Sequence, residues 1–279
     1  MEDLNNSNSS WDQNYDTNIS AGNSSIRYGC YNGNEGFIVY VVSWIVICVG
    51  LPLTLLAVYA VSSWSRNDHS AHIYATNLLI SDLIQLCCMI AWVAGEKCKE
   101  MLFLYFFGVF SSVGFMVCIS LERYLVIAWP LWYRCRRTIK NYVVTCTIVW
   151  VLPLIFVLLC FYTKDRIQLT IIAVFLFLPL PLFIFFLRGT LKALSASLSV
   201  PTDEKRRIVA VLVVILLIYT LLFLPCIILS LAAAEMSHGY RMITFILTQI
   251  SPLADLILYI FIRKGATDKL LASLCFCRM

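Results

Sequence analysis

Five long stretches of the chain contain no Asp, Glu, Lys or Arg, and these charge-free runs constrain the fold most strongly. They hold 30, 21, 23, 21 and 27 residues and cover residues 36–65, 101–121, 141–163, 167–187 and 208–234. A helix needs about 20 consecutive apolar residues to cross the hydrocarbon core of a bilayer. Only 13% of the residues are charged, against about 25% in soluble domains, so the composition excludes a water-soluble fold of this size.

Two further apolar segments have the same length, and each is interrupted by a single acid. Residues 72–95 contain Asp82, and residues 242–262 contain Asp255. The sequence therefore predicts an all-α membrane protein, a seven-transmembrane helix bundle. The mixture of apolar and basic side chains in residues 261–274 predicts a short amphipathic eighth helix that lies on the membrane surface.

The distribution of Lys and Arg predicts the orientation of the bundle. When the connecting segments are taken alternately, 15 of the 21 basic residues fall on one side of the membrane and 6 on the other. Because cytoplasmic segments carry the excess of positive charge, we expect an extracellular N-terminus and a cytoplasmic C-terminus in the plasma membrane. The predicted domains are an extracellular glycosylated arm (1–36), the bundle (37–262), and a cytoplasmic helix and tail (263–279).

Candidate modification sites follow this topology. Four Asn-X-Ser patterns in the arm are candidate glycosylation sites, although an Asn- and Ser-rich segment also produces such patterns by chance; they start at Asn5, Asn8, Asn18 and Asn23. Cys275 and Cys277 follow the amphipathic segment and are candidate palmitoylation sites, with ordinary cytoplasmic thiols as the alternative. No signal-peptide pattern precedes the arm, so we expect the first span to direct membrane insertion.

Three of the twelve cysteines lie at the predicted extracellular ends, where disulfides form. Cys98 opens the third span and Cys160 closes the fourth, so a Cys98–Cys160 disulfide is the favoured pairing. Cys30 is the third outer cysteine, and the sequence does not decide between the three pairings that these residues allow.

Asp82 and Asp255 lie at bilayer depth, where an ionisable group costs at least about 2.5–3.5 kcal/mol and marks a functional site. Ser112 in the third span and Ser251, one turn before Asp255, supply hydroxyl oxygens that could face them. Two carboxylates surrounded by neutral oxygens predict a sodium or water site. A proton-sharing or water-bridged pair that joins two spans is the alternative. No other cofactor is expected.

A second charged group lies at the far end of the third span. Arg123 follows Cys98 by 25 residues, or roughly 37 Å along a helix, so one end reaches the outside and the other the cytoplasm. Glu122 is adjacent and is expected to neutralise Arg123 locally, which leaves a guanidinium at the inner mouth for a partner's carbonyl groups. A positive-inside anchor is the simpler alternative.

Several motifs coincide at the spacing of one receptor family. Asp82 lies in the sequence NLLISDL, Glu122-Arg123-Tyr124 closes the third span, and Asp255 precedes Tyr259 by four residues. The fourth, fifth and sixth spans contribute Trp150, Pro179 and Pro225. Over residues 36–279 the chain resembles the rhodopsin-like (class A) G-protein-coupled receptors. Gly50-Leu51-Pro52 and Asp255 resemble the branch that contains nucleotide, lysolipid and proton-sensing receptors.

The resemblance implies a function and a set of coupling residues. It predicts a cell-surface receptor that transmits an extracellular signal to a heterotrimeric G protein. The G-protein cavity would be formed by Glu122, Arg123, Tyr124, Arg206, Arg207 and Tyr259. Departures from the family pattern favour a non-signalling decoy receptor as an alternative. The positions concerned are Thr54, Leu187, Lys205, Phe223 and Leu256.

Two of these departures carry structural expectations. Lys205 stands where some members carry an acid, so the salt bridge to Arg123 cannot form, and we expect Glu122 to hold Arg123. Leu256 replaces the seventh-helix proline, which puts the usual kink of that span in doubt.

The family alignment also predicts the ligand pocket in the outer half of the bundle. Its lining would be mostly apolar and aromatic, from Tyr105, Phe106, Val109, Cys226, Ser230, Arg241, Phe245 and Gln249. Tyr105 stands where amine receptors carry an acid, and Gln249 stands where opsins carry the retinal lysine, so neither ligand is expected. Lys164, Arg166 and Arg241 at the rim favour a lipid or an anionic small molecule; solvated loop charges are the alternative.

Functions of other classes are less well supported. An ion channel or proton-coupled transporter would use Asp82 and Asp255 as its relay, but the outer halves of the spans offer few further polar residues. The sequence contains no metal-ligand cluster, nucleophile elbow or phosphate loop, so we do not expect an enzyme. The predicted partners are the extracellular ligand, the G protein and membrane lipids, with no nucleic acid.

Overall fold

The computed structural model describes residues 27–28, 31–64, 69–95, 98–136, 138–163, 165–196, 202–231 and 238–262. The predicted glycosylation and palmitoylation sites lie outside these residues. Two short strands, Arg27–Tyr28 and Tyr31–Asn32, pair antiparallel immediately before the first helix. Every other element of the described chain is a helix.

The seven predicted spans are confirmed as helices long and apolar enough to cross a bilayer. They are Gly36–Val61, Ile73–Val93, Glu100–Ala128, Ile139–Cys160, Ile171–Ser195, Lys205–Ile228 and Met242–Ile262. The helices that contain them are Gly33–Trp64, His69–Val93, Cys98–Ala128, Ile139–Tyr162, Asp165–Phe177 with Pro179–Ala196, Thr202–Leu231, and His238–Gln249 with residues 251–262. Pro130–Arg136 forms a short further helix, called the loop helix below, between the third and fourth spans.

Two spans are interrupted beside prolines, which lack the N–H that continues a helix. The fifth span breaks at Leu178, immediately before Pro179. The seventh breaks at Ile250, whose N–H is shared between the carbonyls of Ile246 and Leu247 at 3.3 Å each. Pro252 follows this break. The expected loss of the seventh-span kink at Leu256 is therefore corrected, because Pro252 supplies an interruption four residues earlier.

The third span is the centre of the bundle. In the most apolar segment of the third span, 61% of the residues are buried. The corresponding share for the fourth span is 17%, so the fourth span faces outward. Gly108 allows the second and third spans to approach closely, since a Cβ added there would lie 2.8 Å from Gln85 Cγ and 3.1 Å from the Ser81 carbonyl oxygen. The second and fourth spans are joined by Trp150, whose indole N–H donates to Asn77 Oδ1 at 3.0 Å.

The predicted Cys98–Cys160 disulfide is wrong for this structure. Cys160 carries a free, buried thiol on the last turn of the fourth-span helix. Only the Cys160 carbonyl faces the end of that helix, where it accepts hydrogen bonds from the backbone and side chain of Thr163. The side chains of Cys30 and Cys98 lie outside the described residues.

The close approach at Gly108 gives a stability prediction. Gly108→Ala should destabilise the bundle by about 1–3 kcal/mol, because the new methyl group meets the Ser81 carbonyl oxygen at 3.1 Å in addition to Gln85 Cγ, and this backbone atom cannot move alone. Gly114→Ala is the matched control, since its methyl group meets a side-chain carbon, Val149 Cγ1, at the same 2.8 Å. In detergent, we expect the unfolding temperature to fall further for Gly108→Ala than for Gly114→Ala. Equal stability of Gly108→Ala and the unchanged chain would contradict this packing.

Candidate functional site

The two acids of the second and seventh spans meet in the interior of the bundle. Asp82 and Asp255 are both 0% exposed. Their carboxyl groups interact with each other, and Asp255 approaches the Ser112 hydroxyl, but no contact to Asp255 has hydrogen-bond geometry. The Ser112 hydroxyl donates instead to the Val109 carbonyl at 3.1 Å. The structure thus brings together three of the four residues predicted for an ion or water site.

Three of the four carboxyl oxygens of this pair lack a hydrogen-bond donor. Gln85 Nε2 donates weakly to Asp82 Oδ1 at 3.4 Å, but Asp82 Oδ2 and both Asp255 oxygens are buried without a hydrogen-bond partner. The same holds for the predicted Ser251 hydroxyl and for the Thr54 hydroxyl. Buried polar atoms are normally hydrogen-bonded, so a group that the chain itself does not provide is expected to satisfy them. A cation bound by oxygen ligands or an ordered water fits this set of atoms.

The backbone explains how the seventh span presents its polar side chains. The interruption at Ile250 is followed by a tighter turn, in which the Leu253 N–H donates to the Ile250 carbonyl at 3.0 Å. Ser251 and Asp255 follow within this rewound segment and both are 0% exposed. Gln85, which sequence reasoning missed, lies one turn after Asp82, and this i, i+3 spacing is the signal that could have found it.

At the other end of the third span, Glu122 does not pair with Arg123. The Tyr133 hydroxyl, from the loop helix, donates to Glu122 Oε1 at 2.6 Å and lies 3.0 Å from the Tyr142 hydroxyl of the fourth span. Glu122 Oε2 is buried without a partner. The expected local neutralisation is therefore wrong, because a tyrosine from outside the third span holds the acid. Sequence reasoning missed both tyrosines, whose proximity depends on the fold of the intervening loop.

Arg123 is left without an anionic partner. Its guanidinium makes no ion pair with any residue that the structure describes, and its Nε is buried without a hydrogen-bond acceptor. Lys205, which stands at the position of the acid in some family members, donates to the Leu194 carbonyl at 3.1 Å. Arg207 donates to the Ile262 carbonyl at 3.0 Å, and Arg206 is exposed. Of the two predicted coupling residues on the sixth span, Arg207 thus binds the end of the seventh span, and the neighbouring Lys205 binds the end of the fifth.

Tyr124 packs against the fifth span, a contact that the sequence did not predict. Its ring lies 5.7 Å and 5.8 Å from those of Phe185 and Phe186. Gly189 leaves room for the Tyr124 ring, since a Cβ there would lie 2.5 Å from Tyr124 Cε2. Tyr259, the remaining predicted coupling residue, is buried in a cluster of the first, second and seventh spans with Ala57, Val61, Ala75, Leu79 and Leu256.

In the predicted ligand half, aromatic rings dominate. Tyr105 is 0% exposed, and its ring lies 4.9 Å from Trp92 and 6.0 Å from Phe245. Phe106 lies 5.7 Å from Tyr105 on the same span. Trp92, at the end of the second span, is the member of this cluster that sequence reasoning missed. The pocket prediction used only positions on the third, sixth and seventh spans, so it could not include a side chain from the second.

The other predicted pocket residues are placed individually. Val109 is buried, and the Cys226 thiol donates to the Leu222 carbonyl of its own helix at 3.5 Å. Gln249 donates through Nε2 to the Ser43 hydroxyl at 3.0 Å, so its amide joins the seventh span to the first. The side chains of Ser230, Arg241, Lys164 and Arg166 lie outside the described residues, so the basic rim stays a prediction.

A further contact joins the fifth and sixth spans below this aromatic cluster. The Tyr219 hydroxyl donates to the Leu176 carbonyl, next to the interruption at Leu178. Its ring lies 5.0 Å from Phe183 and 5.1 Å from Phe223, the residue that stands where the family carries a tryptophan. Tyr219 therefore connects the sixth span to the discontinuous part of the fifth.

The Glu122–Tyr133–Tyr142 arrangement gives a second stability prediction. Tyr133→Phe should lower stability by about 1.5–3 kcal/mol, because it removes the donor to a buried carboxylate. Tyr142→Phe is the matched control and should cost less, since it leaves the Tyr133–Glu122 hydrogen bond intact. Thermal unfolding of both variants and the double variant measures this difference. A cost for Tyr142→Phe as large as that for Tyr133→Phe would contradict the assigned order.

Comparison with known proteins agrees with this arrangement. The family model of the seven-transmembrane receptors of the rhodopsin family matches residues 53–167. Human G-protein coupled receptor 65 is 24% identical over 287 residues, which cover 83% of this chain and 85% of that protein. Bovine G-protein coupled receptor 68 is 27% identical over 149 residues, 50% of this chain.

The extent of the matches differs between relatives. The match to bovine receptor 68 spans 41% of that protein, and a match to bovine G-protein coupled receptor 183, 29% identical, spans 33% of that protein and 39% of this chain. The chain thus aligns with less than half the length of these two relatives. The seven apolar helices agree with the seven spans of the matched family, and the relatives are named as receptors. The chain is a multi-pass membrane protein, and its residues 53–167 are similar to the rhodopsin family of seven-transmembrane receptors.

Proposed function

We propose that the protein is a cell-surface receptor that transmits an extracellular ligand signal to a heterotrimeric G protein. Its N-terminus would be extracellular and its C-terminus cytoplasmic, as the distribution of basic residues predicts. The observation that carries the proposal is the Arg123 guanidinium at one end of the third span, which makes no ion pair within the described part of the chain. A guanidinium without an intramolecular anion is available to the carbonyl groups of a partner.

The receptor would act by changing the relative populations of two arrangements of the bundle. A ligand shifts such an equilibrium only by its difference in affinity for the two states, typically about 1–3 kcal/mol. The discontinuity at Leu178 and the Tyr219–Leu176 contact offer a place where the fifth and sixth spans can rearrange. Pro225, inside the sixth-span helix, removes one further backbone hydrogen bond.

The ligand proposed for this receptor is a lipid or an anionic small molecule. The Trp92–Tyr105–Phe245 cluster supports an apolar ligand, since aromatic rings bury large apolar areas. The basic residues predicted at the rim would attract an anion. The matches to G-protein coupled receptors 65 and 68 support the placement in the branch that contains nucleotide, lysolipid and proton-sensing receptors.

We further propose that Asp82 and Asp255 hold a sodium ion with help from Ser112 and Ser251. When bound, the ion supplies a positive charge that offsets the carboxylates. The unpartnered oxygens of Asp82, Asp255 and Ser251 support this role, because hard cations prefer oxygen ligands. Thr54 adds a further unpartnered hydroxyl to the first span. On the same face one turn earlier, Gly50 packs between Leu86 and Leu253 of the second and seventh spans.

Replacement of Arg123 tests the proposed function. Cells that express the chain are exposed to lysophosphatidic acid, nucleotides and acid pulses, and G-protein nucleotide exchange is recorded. For any stimulus that is active, Arg123→Ala should reduce exchange at least about tenfold, the loss of roughly 1.4 kcal/mol of interaction. Surface expression is measured in parallel through an antibody to the N-terminal arm on intact cells.

Two results would contradict the proposal. Full signalling by Arg123→Ala at normal surface expression would remove this residue from the mechanism. Binding of a stimulus at the cell surface without exchange by any G protein in the unchanged chain would favour the decoy receptor.

A further inference from the structure

Gln85 places a buried amide group beside the acidic pair of the second and seventh spans. The side chain is 0% exposed. It lies one turn after Asp82 on the helix His69–Val93, and residues three positions apart share one face of a helix. Its Nε2 atom lies 3.4 Å from Asp82 Oδ1. The amide therefore borders the site at which a cation was proposed above.

The two polar atoms of this amide are satisfied unequally within the described part of the chain. Nε2 donates to Asp82 at 3.4 Å, which is longer than the usual range of about 2.7–3.2 Å for such a bond. Oε1 is buried without a hydrogen-bond donor among the described residues. A buried carbonyl oxygen that has lost its hydration without gaining a partner costs free energy. Gln85 thus holds an oxygen beside two carboxyl groups, where a cation would satisfy it.

The third span leaves room for this side chain. A Cβ at Gly108 would lie 2.8 Å from Gln85 Cγ and 3.6 Å from the Gln85 backbone nitrogen. Ser112 follows Gly108 by four residues and therefore lies on the same face of the third-span helix. The Ser112 hydroxyl approaches Asp255. One face of the third span thus contacts Gln85 at one turn and the acidic pair at the next.

A primary amide can take two orientations in the same space. Its nitrogen and oxygen are bonded to one carbon and are nearly alike in size, and the last torsion of glutamine is broad and roughly two-fold. Half a turn about this bond exchanges the donor with the acceptor and leaves the rest of the side chain in place. One orientation offers the acids a donor, and the other offers a cation an oxygen ligand.

We propose that Gln85 is a further ligand of the cation held by Asp82 and Asp255, and that its amide rotates to coordinate the ion. The structure shows the orientation in which Nε2 donates to Asp82. In the rotated orientation Oε1 coordinates the ion, because hard cations prefer oxygen ligands. The inference rests on the proposed cation site, and it adds a residue from the second span that sets the affinity of that site.

The sodium dependence of unfolding in two Gln85 variants tests the proposal. The full chain is purified in detergent, and its unfolding temperature is recorded as sodium chloride replaces choline chloride at constant ionic strength. The onset is the sodium concentration above which the unfolding temperature rises with its logarithm, and it lies close to the dissociation constant. Gln85→Leu removes the ligand oxygen and should raise the onset about tenfold, the loss of roughly 1.4 kcal/mol of binding free energy. Gln85→Glu keeps an oxygen at the same reach and adds a negative charge, so it should lower the onset.

Ser111→Ala is the matched control. Ser111 is a buried polar residue next to Ser112, but its hydroxyl donates to the Phe107 carbonyl of its own helix at 2.8 Å, so this variant should keep the onset of the unchanged chain. A purely structural role for Gln85 would change the unfolding temperature in choline alone. An onset that stays the same in the Gln85 variants would therefore overturn the inference while the cation site stands. If the unchanged chain shows no rise with sodium, both the inference and the cation site are wrong. Either Gln85 variant decides the question if the other cannot be purified, because the two expected shifts have opposite signs.

Discussion

Two carboxyl groups enclosed in one apolar bundle pose the physical problem on which the rest of this structure depends. Each ionised acid at bilayer depth costs several kcal/mol, and two adjacent negative charges add their mutual repulsion. Asp82 and Asp255 are fully buried, and the residues that the structure describes supply them with one weak hydrogen-bond donor. We therefore propose that a proton, a water or a cation completes the folded state.

The third span connects that interior pair to the Arg123 end. Ser112 approaches Asp255, and Arg123 follows 11 residues later, or about 16 Å along the same helix. If the group that offsets the charge of the two acids is gained or lost, this helix can shift as a rigid element against its neighbours. At the far end Glu122 accepts a hydrogen bond from the loop helix, Tyr124 packs on the fifth span, and Arg123 makes no ion pair with a described residue. Each of three consecutive side chains thus faces a different environment.

Much of the fold could be predicted from the sequence because hydrocarbon imposes a simple rule. Charge-free runs of about 20 residues must be helices, since no other open segment satisfies its backbone in lipid. Seven spans and the meeting of two acids follow from run length and from the cost of burying a charge. The family resemblance added the expectation that these spans form a receptor bundle, which the matches to G-protein coupled receptors support.

Contacts between helices could not be predicted in the same way. The Tyr133–Glu122 hydrogen bond depends on the loop between the third and fourth spans folding into a helix. The packing of Tyr124 on the fifth span depends on the rotation of that span after its break. Apolar periodicity says little about rotation when almost every position is apolar. Cys160 illustrates the same limit, because its place at a helix end suggested a disulfide, whereas its thiol faces inward. Pro252 was overlooked because the family pattern directed attention to Leu256.

The compensation of the acidic pair can be measured through the dependence of stability on sodium. The unfolding temperature of the purified chain is recorded at increasing sodium chloride concentration, with choline chloride keeping the ionic strength constant. A bound ion predicts a rise that follows the logarithm of sodium concentration, because binding to the folded state alone stabilises it by mass action. Asp82→Asn should remove the rise. Unfolding temperatures that are identical in sodium and in choline for the unchanged chain would contradict a cation at Asp82 and Asp255.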